Sequence, residues 1–282
     1  MTDGVAALEE GRAFADLSAW RMVSVEGSEA GGWLNDLLSA ELKGLEPGEA
    51  RRSLLLTPTG RIRATVLVTR YEDAHLLVQD PRQPSRIDAL LDPYVLSSDV
   101  RLRDRSEELA LFAVPGRAHA DASYSPSALG PGSDVIATAG ERPAALAELV
   151  EASTEDVETW RVLRGMARFP VDLTADSLPH EAEQGDAVAY GKGCFLGQEA
   201  VAKVRNLGRP PFVVLSAAAQ GQVAVGDVVL SGDQEAGRIT SAVGMAGGTT
   251  SVIARVRWGL KDSALRSYGG VEVVPSGLAS AA

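Results

Sequence analysis

The chain has 282 residues, and at roughly 150 residues per domain this length predicts two domains with substantial cores. Its 38 acidic and 27 basic side chains give a net charge of −11 with no lysine or arginine block, which disfavours a broad nucleic-acid surface. A single cysteine excludes an internal disulfide, and the histidines lack zinc-site spacing. With no signal-peptide pattern and no bilayer-length apolar run, we expect a cytoplasmic protein without a membrane partner or a metal of its own.

The first part of the chain alternates helices and strands. Ser28 can cap a helix that runs to Leu42, because apolar residues recur there at helical spacing. Apolar runs bounded by turn residues then predict an antiparallel meander, and together these elements indicate an α+β class. The predicted segments are strands at 53–57, 62–69 and 74–79, a helix at 86–91 and two strands within 100–116.

Residues 116–133 are rich in Gly, Pro, Ser and Ala, and they predict a connecting loop at a break between two subdomains. A strand at 134–138 and helices at 143–152 and 155–166 are predicted to follow this loop.

From Pro210 the pattern changes to short apolar runs spaced by glycines, which predicts a small β-barrel. We therefore expect a first domain at 1–208 and a barrel domain at 209–282, with a frayed terminal "SGLASAA".

The segment "GKGCFLGQEAVAKV" contains the single cysteine, Cys194. Gly193 and Gly197 lack a Cβ, so a ligand can approach the backbone closely. If a helix begins near Gly197, its partial positive charge and the Lys192 ammonium favour the thiolate of Cys194. This arrangement predicts a reactive thiol, and the alternative is a small buried hydrophobe in a tight turn.

Other polar residues near this segment could hold a ligand. Gln198 offers a donor and an acceptor that could read a heterocycle edge. Glu181 follows Pro179 in a predicted loop, where its carboxylate could accept two parallel hydrogen bonds from an amino-substituted ring, although exposed loop glutamates are common. Phosphate-binding glycine motifs and a serine nucleophile elbow are missing from the sequence. Arginines that could reach an anion are Arg61, Arg63, Arg205 and Arg209.

"KGCFLGQE" matches the K-G-C-[FY]-x-G-Q-E signature of the YgfZ family, folate-binding relatives of the glycine cleavage T-protein that act in iron–sulfur protein maturation. "TPTGRIRATVLV", "LLDPYVLSSDVRLRD", "WRVLRGMARFPVDLTADSLPHEA" and "GRITSAV" extend the resemblance over nearly the whole chain. The resemblance implies a T-protein-like folate-binding domain around a central opening, followed by a small β-barrel. It also implies bound tetrahydrofolate or a derivative, with the loop glutamate Glu181 pairing with the amino-pyrimidine edge. The folate contacts that we predict are Glu181, Gly193, Gly197, Gln198 and Arg209, and the predicted functional pair is Cys194 with Lys192.

Two adjacent positions depart from the T-protein pattern. Ala64 and Thr65 stand where the resemblance places acidic residues, including the catalytic aspartate of T-proteins. We therefore expect no glycine-cleavage aminomethyltransferase activity. The predicted function is tetrahydrofolate binding in support of iron–sulfur protein assembly or repair, with iron–sulfur client or assembly proteins as partners. A folate-dependent one-carbon transferase or demethylase, and a partner-binding protein without folate, are the alternatives.

Overall fold

The structure is a computed structural model that describes residues 2–116, 124–183 and 185–281. The helices are α1 (Asp3–Glu9), α2 (Ala30–Leu37), α3 (Ile87–Leu91), α4 (Thr154–Leu163) and α5 (Gln198–Leu207). Short 3-10 turns lie at Asp92–Tyr94, Ala144–Leu146, Pro179–Glu181, Gly185–Ala187 and Trp258–Leu260. The strands are β1 (Ala13–Asp16), β2 (Arg21–Glu26), β3 (Ala50–Leu56), β4 (Ile62–Tyr71), β5 (Ala74–Gln79), β6 (Arg101–Asp104), β7 (Leu109–Pro115), β8 (Gly132–Thr138), β9 (Val150–Glu151), β10 (Met166–Ala167), β11 (Phe212–Ala219), β12 (Val228–Ser231), β13 (Gln234–Gly244), β14 (Thr250–Arg257), β15 (Leu265–Ser267), β16 (Glu272–Leu278) and β17 (Ser280–Ala281).

The first sheet has antiparallel strands in the order β3-β4-β5-β2-β6. Successive side chains of a strand point to opposite faces, so Met22 and Val23 of β2 enter different cores. Val23 packs with α2 and α3, whereas Met22 faces the second sheet. The predicted meander is confirmed by the pairing of β3, β4 and β5.

The second sheet has the order β8-β7-β1-β9, with β1 antiparallel to β7 and parallel to β9. Ala13 and Ala15 of β1 share one core with Trp160 of α4 and with the inner face of the first sheet. Phe14, between them in sequence, packs edge-on against Phe112 in a separate core. The two sheets and α4 therefore meet around a common interior.

The C-terminal part of the chain forms a closed barrel in the order β11-β14-β13-β12-β15-β16, which confirms the predicted α+β class with a terminal barrel. A bulge interrupts the pairing of β13 with β14 between Ile239 and Ser241. Apolar side chains of these strands fill the barrel interior, and in β14 alternate residues belong to this core.

Two predictions of local structure are wrong, one for residues 143–152 and one for the C-terminal tail. The helix predicted at 143–152 is only the turn Ala144–Leu146, because the chain then extends and Val150 donates its N–H to the Arg12 carbonyl as β9 joins β1. The tail predicted to fray is fixed instead: Ala279 is fully buried, and Ser280 donates its N–H to the Gly165 carbonyl as β17 pairs with β10.

Other boundaries shift by a few residues. The helix predicted from Ser28 to Leu42 covers only α2, because Leu38 is already extended. The helix predicted at 155–166 ends at Leu163, where Gly165 takes a positive φ of 63°. Of the predicted loop 116–133, residues 117–123 lie outside the described part of the chain, and the described remainder already pairs Tyr124 with Asp134.

Candidate functional site: a central cleft and the Cys194 loop

A small cavity lies between the first sheet and α4. Its volume is about 50 Å³, and it is walled by residues of β3, β4 and β5 on one side and by α4 and residues 166–169 on the other. An adjoining outer cleft of about 190 Å³ is lined by residues that include Arg82 and Glu158. We call the two spaces together the central cleft. The residues that line both are Trp20, Asp80, Leu129 and Arg168.

Asp80 lines both spaces of this cleft and has a buried oxygen that accepts no hydrogen bond from the described residues. It follows directly after β5, and its side chain is buried. Its Oδ1 accepts a hydrogen bond from the Arg82 N–H at 2.9 Å. Its Oδ2 lies 3.4 Å from Arg168 Nε in an ion pair, but it receives no hydrogen bond from the described part of the chain. A buried oxygen left in this state favours a ligand that brings a donor.

A chain of alternating charges connects the cleft to the barrel. Arg168 pairs with Glu158 at 2.7 Å, and Glu158 also pairs with Arg161 of the same helix. Burial opposes ionisation of Glu158, but the hydrogen bonds and charges of the two arginines outweigh it and lower its pKa to about 2. Arg161 donates to the fully buried Asp172 at 2.8 Å, and Asp172 accepts from the Ser241 hydroxyl at the barrel bulge.

Thr65 stands in the cavity wall at a position where the resemblance to T-proteins predicts an acid. Gln83 holds it on three sides: the amide nitrogen donates to Thr65 O and Oγ1, and the amide oxygen accepts from Thr65 N. Ala64, the other replaced position, is fully buried in the core on the opposite face of β4. The cleft therefore presents a hydroxyl, not a carboxylate, at this point of the wall.

Glu181 lies in the turn Pro179–Glu181, and it is fully buried, not displayed on a loop. Its Oε2 accepts from Arg255 Nε of β14 and from the Ser177 hydroxyl, at 2.9 and 3.0 Å. Its Oε1 accepts from the Leu178 N–H at 3.2 Å. Both oxygens are thus engaged, Oε2 in a contact with the barrel and Oε1 within the turn itself, and the predicted folate contact of Glu181 stays a prediction.

The Cys194 loop, residues 187–197, leads into α5. Its first residue, Ala187, also lines the inner cavity. Gly197 is the N-cap of α5 with a φ of 84°, as the sequence predicts for the helix start, and a Cβ there would lie 2.5 Å from the Thr57 carbonyl oxygen. The side chain of Cys194 is exposed, which disagrees with a buried small hydrophobe.

The ammonium of Lys192 is buried. It donates to the carbonyl oxygens of Asn35, Leu38 and Ala40, each at 2.6 Å. Burial lowers the pKa of Lys192 to about 8, whereas the negative charges of Glu41 and Asp36 favour the charged form. Lys192 is therefore held by α2 and the residues after it, and its pairing with Cys194 stays a prediction.

The remaining predicted contacts lie on the α5 side of the molecule. Gln198 is the first residue of α5 and half-buried, Gly193 has open space around it, and Arg209 is exposed. Within the described cavity wall, none of the predicted folate contacts and neither residue of the predicted functional pair is found.

Sequence reasoning missed the polar residues of the cleft. Asp80, Arg82 and Gln83 follow directly after the buried strand β5, and polar residues at a strand end are a usable signal for a site. Arg168 carries no comparable signal, because only the tertiary fold brings it beside Asp80.

Among the described residues, no group of three or more His, Cys, Asp or Glu side chains could hold a metal ion. No helix within those residues is long and apolar enough to cross a membrane.

Comparison with known proteins agrees with this architecture. The model of the GCVT N-terminal domain matches residues 1–122. The "tRNA-modifying protein YgfZ" of Colwellia psychrerythraea is 23% identical over an alignment of 221 residues, and the match covers 69% of this chain and 68% of that protein. The crystal structure of glycine cleavage system aminomethyltransferase T from Bartonella henselae aligns with a TM-score of 0.78 at 17% identity, over 96% of this chain and 87% of that one.

The fold and the matched domain show that the chain belongs to the T-protein-like fold class. Within that class the chain is YgfZ-like, as its sequence signature predicted.

Proposed function

We propose that the chain binds tetrahydrofolate or a derivative in the central cleft and supports the assembly or repair of iron–sulfur proteins. The observation that carries the folate part is Asp80, which lines both spaces of the cleft and whose buried Oδ2 accepts no hydrogen bond from the described chain, although Arg168 and Arg82 lie 3.4 and 3.8 Å away in ion pairs. A reduced pterin presents adjacent N–H donors on its amino-pyrimidine ring, and a carboxylate accepts such a pair well.

The volumes of the two spaces determine which of them can hold the ring system of the ligand. The inner cavity of about 50 Å³ has room for only about one or two waters, whose share of liquid volume is about 30 Å³ each. We therefore assign the bicyclic ring to the outer cleft, where the half-buried indole of Trp20 supplies an aromatic wall. The exposed Arg82 at the same cleft suits the carboxylates of a folate tail.

The folate assignment is tested by calorimetry with tetrahydrofolate. Asp80→Asn keeps the shape of the side chain but replaces one acceptor oxygen by a donor, so we expect binding to weaken by about 1–3 kcal/mol. Asp233→Asn, at an exposed carboxylate of the barrel, is the matched control and should bind as the wild type does. Equal affinity for wild type and Asp80→Asn removes Asp80 from the site, and no binding by the wild type refutes the folate proposal itself.

The iron–sulfur part of the proposal rests on the K-G-C signature and on the exposed thiol of Cys194. An exposed thiol can contact a protein partner directly. We expect a deletion strain to lose activity of its iron–sulfur enzymes, and we expect wild-type protein but not Cys194→Ser to restore it. Full rescue by Cys194→Ser would exclude a role for the thiol.

The one-carbon alternative is favoured by the structural match to an aminomethyltransferase. Against it stands the Thr65 hydroxyl in the cavity wall where T-proteins have an acid. Turnover of methylated amines or of aminomethyl-lipoyl protein with tetrahydrofolate, well above background, would favour the alternative.

The name of the Colwellia relative refers to tRNA modification. With a net charge of −11, this chain suits a protein client better than an extended RNA backbone. We therefore assign any effect on tRNA to a client enzyme, and we propose the cytoplasm as the place of action.

A further inference from the structure

The ammonium group of Lys192 is buried and fully hydrogen-bonded to the backbone. Its ammonium has three N–H donors, and three carbonyl oxygens accept them, those of Asn35, Leu38 and Ala40. All three bonds measure 2.6 Å, so no donor is left for a direct hydrogen bond to the Cys194 sulfur.

The three acceptors explain why a lysine is needed here. They lie at the C-terminal end of α2 and in the extended residues after it, where the last carbonyls of a helix have no intrahelical partner. A cation at this end also interacts favourably with the helix dipole. An apolar side chain of similar length would leave three buried carbonyl oxygens without donors, which costs free energy.

Further hydrogen bonds hold the same segment on both sides of Lys192. Before it, Ala189 donates its N–H to the Ser39 carbonyl at 2.9 Å, and the Ser39 hydroxyl donates to the Ala187 carbonyl at 2.6 Å. After it, Leu196 donates its N–H to the Asp36 carbonyl at 3.2 Å. Cys194 itself is exposed in the stretch between these attachments.

We propose that Lys192 is a positioning residue, which fastens the Cys194 loop to the C-terminal end of α2 and so fixes the place where the thiol is displayed. Ala187, at the start of the loop, also lines the inner cavity, so the same attachment keeps the thiol at a fixed distance from the cleft. The use of the thiol rests on the proposed function, whereas the attachment does not depend on it.

The first test uses the wild-type protein. In nuclear magnetic resonance of the full chain, the ammonium protons of Lys192 should exchange with water at least about tenfold more slowly than those of Lys203, because they are buried and hydrogen-bonded. Lys203 is the matched comparison, since it is exposed on α5 only a few residues further along. Equal exchange of the two ammonium groups would overturn the proposal without any substitution.

The second test compares Lys192→Met with Lys203→Met. We expect amide hydrogen exchange at Ala189 and Leu196 to accelerate by about tenfold in Lys192→Met, with barrel amides unchanged and with Lys203→Met like wild type. The rate at which Cys194 reacts with an uncharged maleimide should change as well, and the change should persist at high salt because its cause is loop position. Unchanged amide exchange, with a low-salt rate effect that salt abolishes, would instead assign Lys192 to charge stabilisation of the thiolate.

These outcomes are separable from failure of the proposed function. A protein that binds no folate, or whose Cys194→Ser variant restores iron–sulfur enzyme activity, refutes the proposed function. Only the ammonium and amide exchange measurements decide whether Lys192 holds the loop.

Discussion

The central cleft and the Cys194 loop hold their charged groups in opposite ways. In the cleft, buried arginines and carboxylates form a connected chain that still leaves Asp80 Oδ2 without a hydrogen bond from the described residues. In the loop, the buried Lys192 uses every donor on backbone carbonyls, and the side chain of Cys194 is exposed. A buried oxygen without a hydrogen bond suits a cleft that binds a small ligand. A buried ammonium whose donors are all used suits a scaffold that presents a thiol to a macromolecule.

The largest loss of stability should follow from replacing Arg161, because this arginine lies within the chain of buried ion pairs at the cleft. Arg161→Met leaves Asp172 and Glu158 without their shared cation, and loss of one partner of a buried pair costs about 3–5 kcal/mol. Urea unfolding should show this loss in the free energy of unfolding. Arg238→Met, at an exposed barrel pair with Glu235, should stay within about 0.5 kcal/mol of wild type. A small loss in Arg161→Met would contradict this contrast between cleft and loop, because the charges of the cleft would then contribute little to the stability of the fold.

The same contrast separates what the sequence predicts from what it does not. Period-2 runs and turn residues predicted β3, β4 and β5, and a glycine before a helical pattern predicted the start of α5, because these are local signals. The partners of buried charges are not local. Arg255 reaches Glu181, and Arg168 reaches Asp80, only after the barrel and α4 have packed against the first sheet.

The Pro143 region shows the same limit for secondary structure. The run from 143 to 152 has helix-forming alanines, yet Val150 and Ala152 are drawn into an extended pairing with β1. Tertiary hydrogen bonding overrides a weak propensity here. The tail is extended for a similar reason, because β10 offers β17 a free edge.

An intermediate loss of stability should distinguish Gly197 from Gly193, which are two of the three glycines of the Cys194 loop. Gly197→Ala forces a left-handed φ on a residue with a Cβ, and that Cβ meets the Thr57 carbonyl oxygen, so we expect a loss of about 1–3 kcal/mol. Gly193→Ala finds nothing within 4 Å and should change stability by less than about 0.5 kcal/mol. Thermal unfolding of both variants measures the difference. Equal losses would mean that Gly193 carries the backbone constraint too, and the loop would be less locally defined than the contacts indicate.

The last effect is gradual, a pH dependence from Asp134, whose Oδ2 accepts a hydrogen bond from the N–H of Ala128 in the wall of the inner cavity. Asp134 is fully buried, and burial raises its pKa to about 7 from 3.8, while Ser127, Ala128, Tyr124 and Arg52 favour its ionised form. Since the folded state holds this proton above the pH at which the unfolded chain releases it, the contribution is present in full below pH 3.8 and is lost as pH rises through about 7. Between these values stability should fall by about 1 kcal/mol per pH unit from this group.

Glu158 acts with the opposite sign and in a different window. Its pKa is lowered to about 2 from 4.5, so its contribution is present above pH 4.5 and is lost as pH falls through about 2. Burial lowers the pKa of His75 and of His180 below 6.5, so these groups make stability rise with pH between pH 5 and pH 7. The contribution of Asp134 is therefore measured as the difference in slope between wild type and Asp134→Asn in urea titrations over this window, and the loss in acid should stay intact in the variant. A slope that is the same in Asp134→Asn as in wild type would show that Asp134 does not titrate in this window, and its buried carboxylate would then be stabilised at neutral pH as fully as the Lys192 ammonium is.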